Sequence, residues 1–264
     1  MRPTGPLILM LATLAFVASS VGYAMRPLPS PPTIEMMLPG MGLDAITGAA
    51  LPVPDMVTQF LRPRVPAMLV LLVVTWLALL YHAASQIFAS REDSSVEAPP
   101  PRPPARWPAN HHGALVIGLI AGAVWPWLLA PQPGGAFLLG AVMVAGFVGE
   151  ALSGVQLAPD GRISVSLSFA AGWATLAGCA LVSTLLHAQF GIPERVAAVI
   201  GVTMAALAGV SVQLRLGRTI SYGIAVIWGM IGLAAGAVAT QAALSMMAVL
   251  GIAIIAFALV RVTT

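Results

Sequence analysis

The sequence predicts an all-α protein, a polytopic bundle of about eight transmembrane helices. Hydrophobic residues make up 59% of the chain and charged residues only 8%, whereas a soluble domain carries roughly 25% charged residues. Thin polar breaks separate long apolar stretches at 7–17, 66–89, 113–131, 135–158, 165–187, 196–214 and 219–261. Since a span needs about 20 apolar residues and lipid offers the backbone no hydrogen bonds, these stretches are expected to be helices.

The chain divides into five segments. Residues 1–24 form a first span or a signal-like segment; their charged start, short apolar run and small-residue ending also fit a signal peptide, and we favour a retained span. A Pro- and Met-rich extracytoplasmic linker, 25–64, precedes the second span, 65–89. A Pro-rich cytoplasmic linker, 90–112, leads into a six-span bundle, 113–264. Because proline fixes φ and removes a backbone donor, no long helix is expected in the first linker.

Short breaks divide the six-span bundle. Turns are expected at 131–135, 159–162, 191–194 and 216–218. The last stretch is about twice the length of one span, and we divide it at its clearest polar break, Thr240-Gln241. Such short loops make consecutive helices antiparallel neighbours.

The distribution of arginine predicts the orientation. With eight spans, eight arginines fall on the side of both termini and four on the other, so the positive-inside rule places both termini in the cytoplasm. Arginine without lysine, with abundant Ala, Gly and Pro, is typical of a GC-rich bacterial gene, which indicates the bacterial inner membrane. Scattered arginines give no basic stripe, so nucleic acid is not an expected partner.

The composition excludes several classes. Without lysine there is no Schiff base for retinal, which excludes a microbial-type rhodopsin. The single cysteine, Cys179, excludes an intramolecular disulfide. Methionines crowd the first linker and suggest Cu(I), but apolar packing is the favoured interpretation. His111-His112 has no carboxylate or cysteine close by in sequence to form a zinc motif. No nucleophile–base pair or nucleotide-binding loop is present, so no enzymatic activity is predicted.

Two ionisable residues fall inside predicted spans. Glu150 lies about 10 Å below the interface, where an ionised acid costs on the order of 2–3 kcal/mol. We expect it to be protonated, paired or in contact with water at a ligand, ion or proton site; the alternative is a side chain that snorkels to the interface. His82 shares a helix face with Thr75, Ser85 and Gln86 that should point into the bundle. It is a candidate proton relay or anion ligand, and the favoured alternative is a helix–helix hydrogen bond.

Two kinds of small-residue pattern in the sequence indicate close contacts between helices. Gly172, Thr175, Cys179, Ser183 and His187 follow one face of the fifth span, where close packing is the favoured interpretation. Two Gly-x-x-x-Gly patterns, at 118–122 and 232–236, are expected to serve mostly internal packing.

Five tryptophans lie in or beside the spans. Trp125 and Trp127 fall near the end of the third span, where an interfacial aromatic belt is expected. Trp76, Trp173 and Trp228 are nearer mid-span or offset from the boundary. A tryptophan beside small residues, such as Trp228, walls a cavity for a flat apolar ligand or packs against a neighbouring helix, and packing is favoured.

Three aromatic segments resemble the tryptophan-rich sensory (translocator-protein) group, in its longer bacterial members with extra spans. Residues 74–81 resemble the group's Trp-x-x-x-x-Tyr span, 171–177 its Gly-Trp segment and 220–228 its Tyr-plus-Trp span. The likeness covers residues 66–238. The resemblance implies a helical cavity, a porphyrin- or sterol-like ligand and a sensory or regulatory role.

We therefore predict a non-enzymatic membrane protein that binds or moves a small hydrophobic, tetrapyrrole-like molecule. Trp76, Trp173 and Trp228 would wall the cavity implied by the resemblance, and His82 and Glu150 would supply its polarity. The sequence specifies no cofactor and no metal site. The expected partners are the lipid bilayer, the hydrophobic ligand and a membrane-protein partner. The alternatives are an accessory subunit of a larger membrane complex and a proton-coupled transporter that uses Glu150.

Overall fold

The described residues of the computed structural model form helices and no strand. The structure describes residues 4–26, 56–92, 112–157, 164–237 and 241–264. Their helices are α1 (Thr4–Ala24), α2 (Met56–Leu61), α3 (Pro66–Glu92), α4 (Gly113–Leu128), α5 (Pro133–Leu157), α6 (Val165–Phe190), α7 (Glu194–Leu216), α8 (Ser221–Ala237) and α9 (Ala242–Thr263). By length and composition six of them can cross a membrane, and α4 and α8 are shorter apolar helices. The all-helical, multi-pass prediction is confirmed, with six rather than eight helices of full spanning length.

Several predicted boundaries agree with the structure, one is extended by it, and the first linker gains a short helix. The breaks between α4 and α5, α6 and α7, α7 and α8, and α8 and α9 fall where turns were predicted. The second span continues to Glu92, beyond the predicted end at 89. The first linker contains the short helix α2, with all four of its apolar residues buried. The predicted turn at 159–162 and most of both linkers lie outside the described residues.

Local chemistry explains how α6 and α7 end. Gly191 follows α6 in the left-handed conformation, with φ of 64°, and its N–H donates to the Leu186 carbonyl. Gly217 follows α7 with φ of 61°. Such values are accessible to glycine without steric cost. The fully buried Gln213 then fixes the α7–α8 turn by donating to the carbonyls of residues 217 and 219 and accepting from the N–H of residue 223.

Helix α6 is the centre of the bundle. It contacts α2, α3, α5, α7 and α8, and 78% of its most apolar 18-residue window is buried. Its residues are apolar or small on every side, as expected of a helix without a polar face. Ser164 caps its start by accepting a hydrogen bond from the Leu167 N–H.

Glycines allow the closest helix contacts. A Cβ atom at Gly118 would lie 3.2 Å from the Gly146 Cα, so α4 and α5 approach with little between their backbones. A Cβ at Gly172 would lie 2.6 Å from the Tyr222 carbonyl oxygen, at the contact between α6 and α8. A Cβ at Gly232 would overlap the Met68 side chain of α3. Small residues therefore serve internal packing here, as predicted.

The first helix is held inside the bundle by aromatic contacts. Phe16 is 1% exposed. Its ring lies between two rings, with centroid distances of 5.9 Å to Phe147 of α5 and 6.1 Å to Trp173 of α6. Trp76 of α3 donates from Nε1 to the Ser20 hydroxyl of α1 at 3.1 Å. Helix α1 thus contributes to the core.

The bundle has two ends that matter for function. At one, which we call the His82 end, α3 and α5 finish while α4 and α6 begin. At the other, the Trp127 end, Trp127 at the close of α4 contacts Tyr23 at the close of α1, with ring centroids 5.6 Å apart. Arg62, between α2 and α3, places its guanidinium 4.4 Å from the Tyr23 ring centroid. Helix α4 therefore runs from one end of the bundle to the other.

Candidate functional site

Four helices bring a polar cluster together at the His82 end. His82 of α3 places Nδ1 2.9 Å from the hydroxyl of Ser164, the cap of α6. His112, which precedes α4, lies with Nδ1 2.9 Å from Oε1 of Glu150 on α5. The two imidazole rings have centroids 6.2 Å apart and planes at 85°. The structure thus joins both predicted polar residues, His82 and Glu150, through His112.

One histidine ring nitrogen of this cluster, Nε2 of His82, has no hydrogen-bond partner among the described residues. The Ser164 hydroxyl lies 3.0 Å from the Ser166 hydroxyl and accepts the Leu167 N–H, so it has three neighbours in all. In either tautomer His82 can satisfy only Nδ1 against Ser164. Its Nε2 is buried and has no hydrogen-bond partner among the described residues. A buried polar atom of this kind is costly unless something binds to it.

Burial increases from His112 to His82. The side chains of His112 and Glu150 are 26% and 10% exposed, and His82 is 4% exposed. Glu150 is therefore paired, one of the states that its depth in the span led us to expect. The electrostatic neighbours of His82 are His112 and Glu150. The sequence does not predict a carboxylate partner for His112, because Glu150 lies 38 residues away along the chain.

Across the described residues no group of three or more His, Cys, Asp or Glu side chains has an arrangement able to hold a metal ion. Of the linker methionines that suggested copper, Met25 is exposed and Met56 is buried in α2, whereas Met36, Met37 and Met41 lie outside the described part of the chain. His187 lies far from the cluster, at the end of α6, where its Nδ1–H donates to the Ile192 carbonyl.

The three mid-span tryptophans serve helix contacts. Trp173 is 1% exposed and stacks edge-on against Phe16. Trp76 donates to Ser20, and Trp228 donates from Nε1 to the Ala67 carbonyl at 3.0 Å. None of the three lines the cavities described below. This arrangement favours the packing interpretation over a shared tryptophan-walled cavity.

The two tryptophans of α4 differ. Trp127 is exposed, donates to the Ser19 hydroxyl at 2.8 Å and carries the guanidinium of Arg26 at 5.0 Å from its ring. An amphipathic ring with an arginine beside it is typical of a membrane–water boundary. Trp125 is 1% exposed and belongs to the core. The predicted aromatic belt therefore accounts for Trp127 and not for Trp125.

An apolar groove runs between α5 and α7, with α6 as its floor. Its volume is about 470 Å³, within the range of about 300–1,000 Å³ found for small-molecule sites. One wall exposes small residues of α5 at four-residue spacing, Ala141, Ala145 and Gly149. The complete lining is Phe137, Ala141, Val144, Ala145, Val148, Gly149, Leu152, Thr175, Gly178, Cys179, Leu181, Val182, Ala208 and Val212.

The groove offers few polar groups. Among its lining residues only Thr175 and Cys179 carry a polar side-chain atom. The Thr175 hydroxyl donates to the Ala171 carbonyl at 2.9 Å and accepts from the Tyr222 hydroxyl at 3.1 Å, so its hydrogen bonds are already made. The floor therefore favours an uncharged, apolar occupant. The four-residue spacing of small residues on α5 is the sequence signal by which this groove can be found.

Two smaller cavities lie elsewhere in the bundle. One of about 130 Å³ lies between α2, the start of α3 and the end of α8, and is lined in part by Arg62 and Arg64. Another of about 350 Å³ lies between the start of α7 and the start of α9, beside Arg195 and Gln241. The α5–α7 groove is larger than both.

Comparison with known proteins adds no relative. No protein-family model matches this chain, and no curated protein or solved structure shows significant similarity to it.

Proposed function

We propose that this protein binds or moves a small hydrophobic molecule in the groove between α5 and α7. The groove volume of about 470 Å³, bounded by apolar side chains on a floor formed by α6, is the observation that carries this proposal. Ala141 and Ala145 are exposed on α5, so in a bilayer the groove opens toward the lipid. A ligand can enter from the membrane without crossing water.

The lining favours an uncharged ligand. Thr175 and Cys179 provide no charge and no cation faces the groove. A porphyrin with two carboxylates would place those charges against hydrocarbon, where desolvation is expensive. A sterol-like molecule, also implied by the family resemblance, meets no such cost. The role remains sensory or regulatory in this proposal, without a catalytic step.

A second candidate function is that of an accessory subunit. Ala141, Ala145 and Gly149 form a small-xxx-small row on the exposed face of α5, the pattern on which another transmembrane helix packs closely. A partner helix would then cover the groove. A partner that co-purifies in fixed stoichiometry and shields Cys179 supports this alternative.

We further propose eight membrane crossings with both termini in the cytoplasm of a bacterium. Helix α4 is short, at 16 residues, but extends from the His112–Glu150 contact to the Trp127 end. Helix α8 begins at the α7 turn and ends with Gly236 near Gln59, beside the start of α3. Both shorter helices thus run the length of the bundle, and the eight-to-four arginine distribution supports the orientation.

The only cysteine provides the test of ligand binding. Cys179 lies in the groove floor, so N-ethylmaleimide alkylation followed by intact-mass spectrometry reports access to it. The full chain in lipid nanodiscs is incubated with dehydroergosterol, an uncharged sterol, or with protoporphyrin IX. We expect dehydroergosterol to slow alkylation and protoporphyrin IX to have the smaller effect.

Paired variants on α5 make the test specific. Ala145→Phe fills the groove and should abolish protection by dehydroergosterol. Val142→Phe adds an aromatic ring at an exposed position of the same helix outside the groove lining, and should retain it. Equal protection in both variants, or none in the wild type, contradicts the proposal. Protection by protoporphyrin IX alone would reassign the ligand to the tetrapyrroles.

A further inference from the structure

The His82–His112–Glu150 cluster has a chemistry that the groove does not use. Three ionisable side chains from three helices meet where a purely structural contact needs none. Apolar residues of similar size pack as stably as buried ion pairs, so stability alone does not explain them. Their arrangement instead matches that of a carboxylate that orients an imidazole and raises its basicity.

The side chains become more buried from His112 to His82, which defines a direction in which a proton can enter the cluster. His112, at 26% exposure, is the most exposed member of the cluster. Its Nδ1–H donates to Glu150 at 2.9 Å, which leaves Nε2 as the nitrogen able to accept a proton. His82 lies deeper, at 4% exposure, with Nε2 lacking a partner among the described residues. A proton that enters at His112 therefore finds a second acceptor farther inside.

We propose that His82, His112 and Glu150 form a binding site for one exchangeable proton. The proton comes from water at the His82 end, forms an N–H bond with an imidazole lone pair and leaves by the reverse step, so no other bond breaks. Binding takes the cluster from one net negative charge, that of Glu150, to neutrality. A second proton would leave an uncompensated cation inside the bundle, which lipid makes costly. The site thus binds one proton and not two.

Among the described residues, the helices packed against the cluster face it with uncharged side chains. Helix α6 faces the cluster with the Ser164 and Ser166 hydroxyls. Helix α1 carries no ionisable side chain between Thr4 and Gly22. The electrostatic neighbours of His82 among the described residues are His112 and Glu150 alone.

Histidine NMR tests the proposal on the whole protein. The chain has four histidines, so ¹⁵N-histidine spectra in nanodiscs can be assigned with single His→Gln variants and followed between about pH 5 and pH 9. We expect the His82 and His112 signals to change together in one transition. His187, which donates to the Ile192 carbonyl at the opposite end of α6, is the internal control, and its signal should not follow the joint transition.

Removal of the carboxylate charge distinguishes proton binding from packing. In Glu150→Gln the joint transition of His82 and His112 should be lost, as should the uptake of one proton per chain in a weakly buffered sample. Glu150→Asp should retain both, and His187 should be unchanged throughout. Independent transitions for His82 and His112, or an unaltered joint transition in Glu150→Gln, would overturn the proposal.

A second measurement follows the carboxyl group of Glu150 itself. Infrared spectra of ¹³C-glutamate-labelled protein report a protonated carboxyl group directly. We expect Glu150 to remain ionised on both sides of the joint transition, because it is the counter-charge of the bound proton. A carboxyl band that persists above neutral pH and vanishes in Glu150→Gln would refute the site. Groove occupancy, read from Cys179, is independent of either result.

Discussion

Replacement of Gly146 by alanine tests the packing that positions the polar cluster. A Cβ atom at Gly146 would lie 2.5 Å from the Ala114 carbonyl oxygen and 2.9 Å from the Gly118 Cα. Both are backbone atoms of α4, so no side-chain rotation relieves the overlap. The helices must separate, and α4 and α5 cannot keep their present distance in Gly146→Ala.

The size of the effect follows from these distances. Ordinary contact begins at 3.4 Å, so α4 must move by about 0.9 Å at Ala114. Ala114 lies two residues after His112, and Gly146 lies one helical turn before Glu150. A similar shift there would lengthen the His112–Glu150 contact from 2.9 Å to about 3.8 Å, beyond hydrogen-bond range. Overpacking of this kind costs about 1–3 kcal/mol.

Gly149→Ala is the matched control on the same helix. A Cβ atom at Gly149 has nothing within 4 Å, and alanine is favoured over glycine within a helix by about 0.5–1 kcal/mol. Steric trapping in bicelles should show Gly146→Ala destabilised and Gly149→Ala neutral or slightly stabilised. Histidine NMR should show His112 altered only in Gly146→Ala. Equal stability of the two variants, with unchanged His112 signals, would refute the assigned α4–α5 contact.

Three further substitutions test other assignments. Gln213→Ala removes the side-chain partner of three backbone groups of the α7–α8 turn, of which the N–H of residue 223 is buried; it should cost about 1–3 kcal/mol and accelerate amide exchange in that turn. Trp173→Ala should cost about 3–5 kcal/mol in steric trapping because it empties a core site, yet leave sterol protection of Cys179 intact. Trp76→Phe should lower stability by only about 0.6 kcal/mol, the value of one interhelical hydrogen bond. A larger loss of stability would contradict the assignment of Trp76 to that single hydrogen bond with Ser20.

The helices were predictable because lipid imposes a simple rule on the backbone. Every amide must be satisfied within its own segment, so length and hydropathy alone identify a helix. The breaks were predictable for local reasons, since Gly191 and Gly217 end helices with positive φ and Pro193 precedes a new one. The span count was less predictable, because a run of apolar residues does not reveal where its helix ends. Helix α8 thus has 17 residues although it belongs to an apolar stretch of 219–261.

The sequence pattern could not decide whether the tryptophans wall a cavity or pack against a neighbouring helix. An indole beside small residues fits a cavity wall and a packed interface equally well, and the choice depends on the neighbouring helix. For Trp173 that neighbour is α1, whose Phe16 fills the space in front of the ring. For Trp228 it is the Ala67 carbonyl in the first turn of α3. Neither partner lies near in the sequence, so the residue pattern alone could not distinguish the two.

His82 and Glu150 were predicted as polar site residues, but their link through His112 and Ser164 was not, because helix register is a property of the assembled bundle. His82 lies ten residues before the end of α3 at Glu92, and Glu150 seven before the end of α5 at Leu157. His112 and Ser164 directly precede α4 and α6. Because the chain reverses direction at each turn, these four positions lie at the same end of the bundle. Their distances from the helix ends differ, however, so the sequence alone does not predict that they lie at the same depth in the bundle. The close α4–α5 packing, which includes the Gly118–Gly146 contact, places His112 level with Glu150.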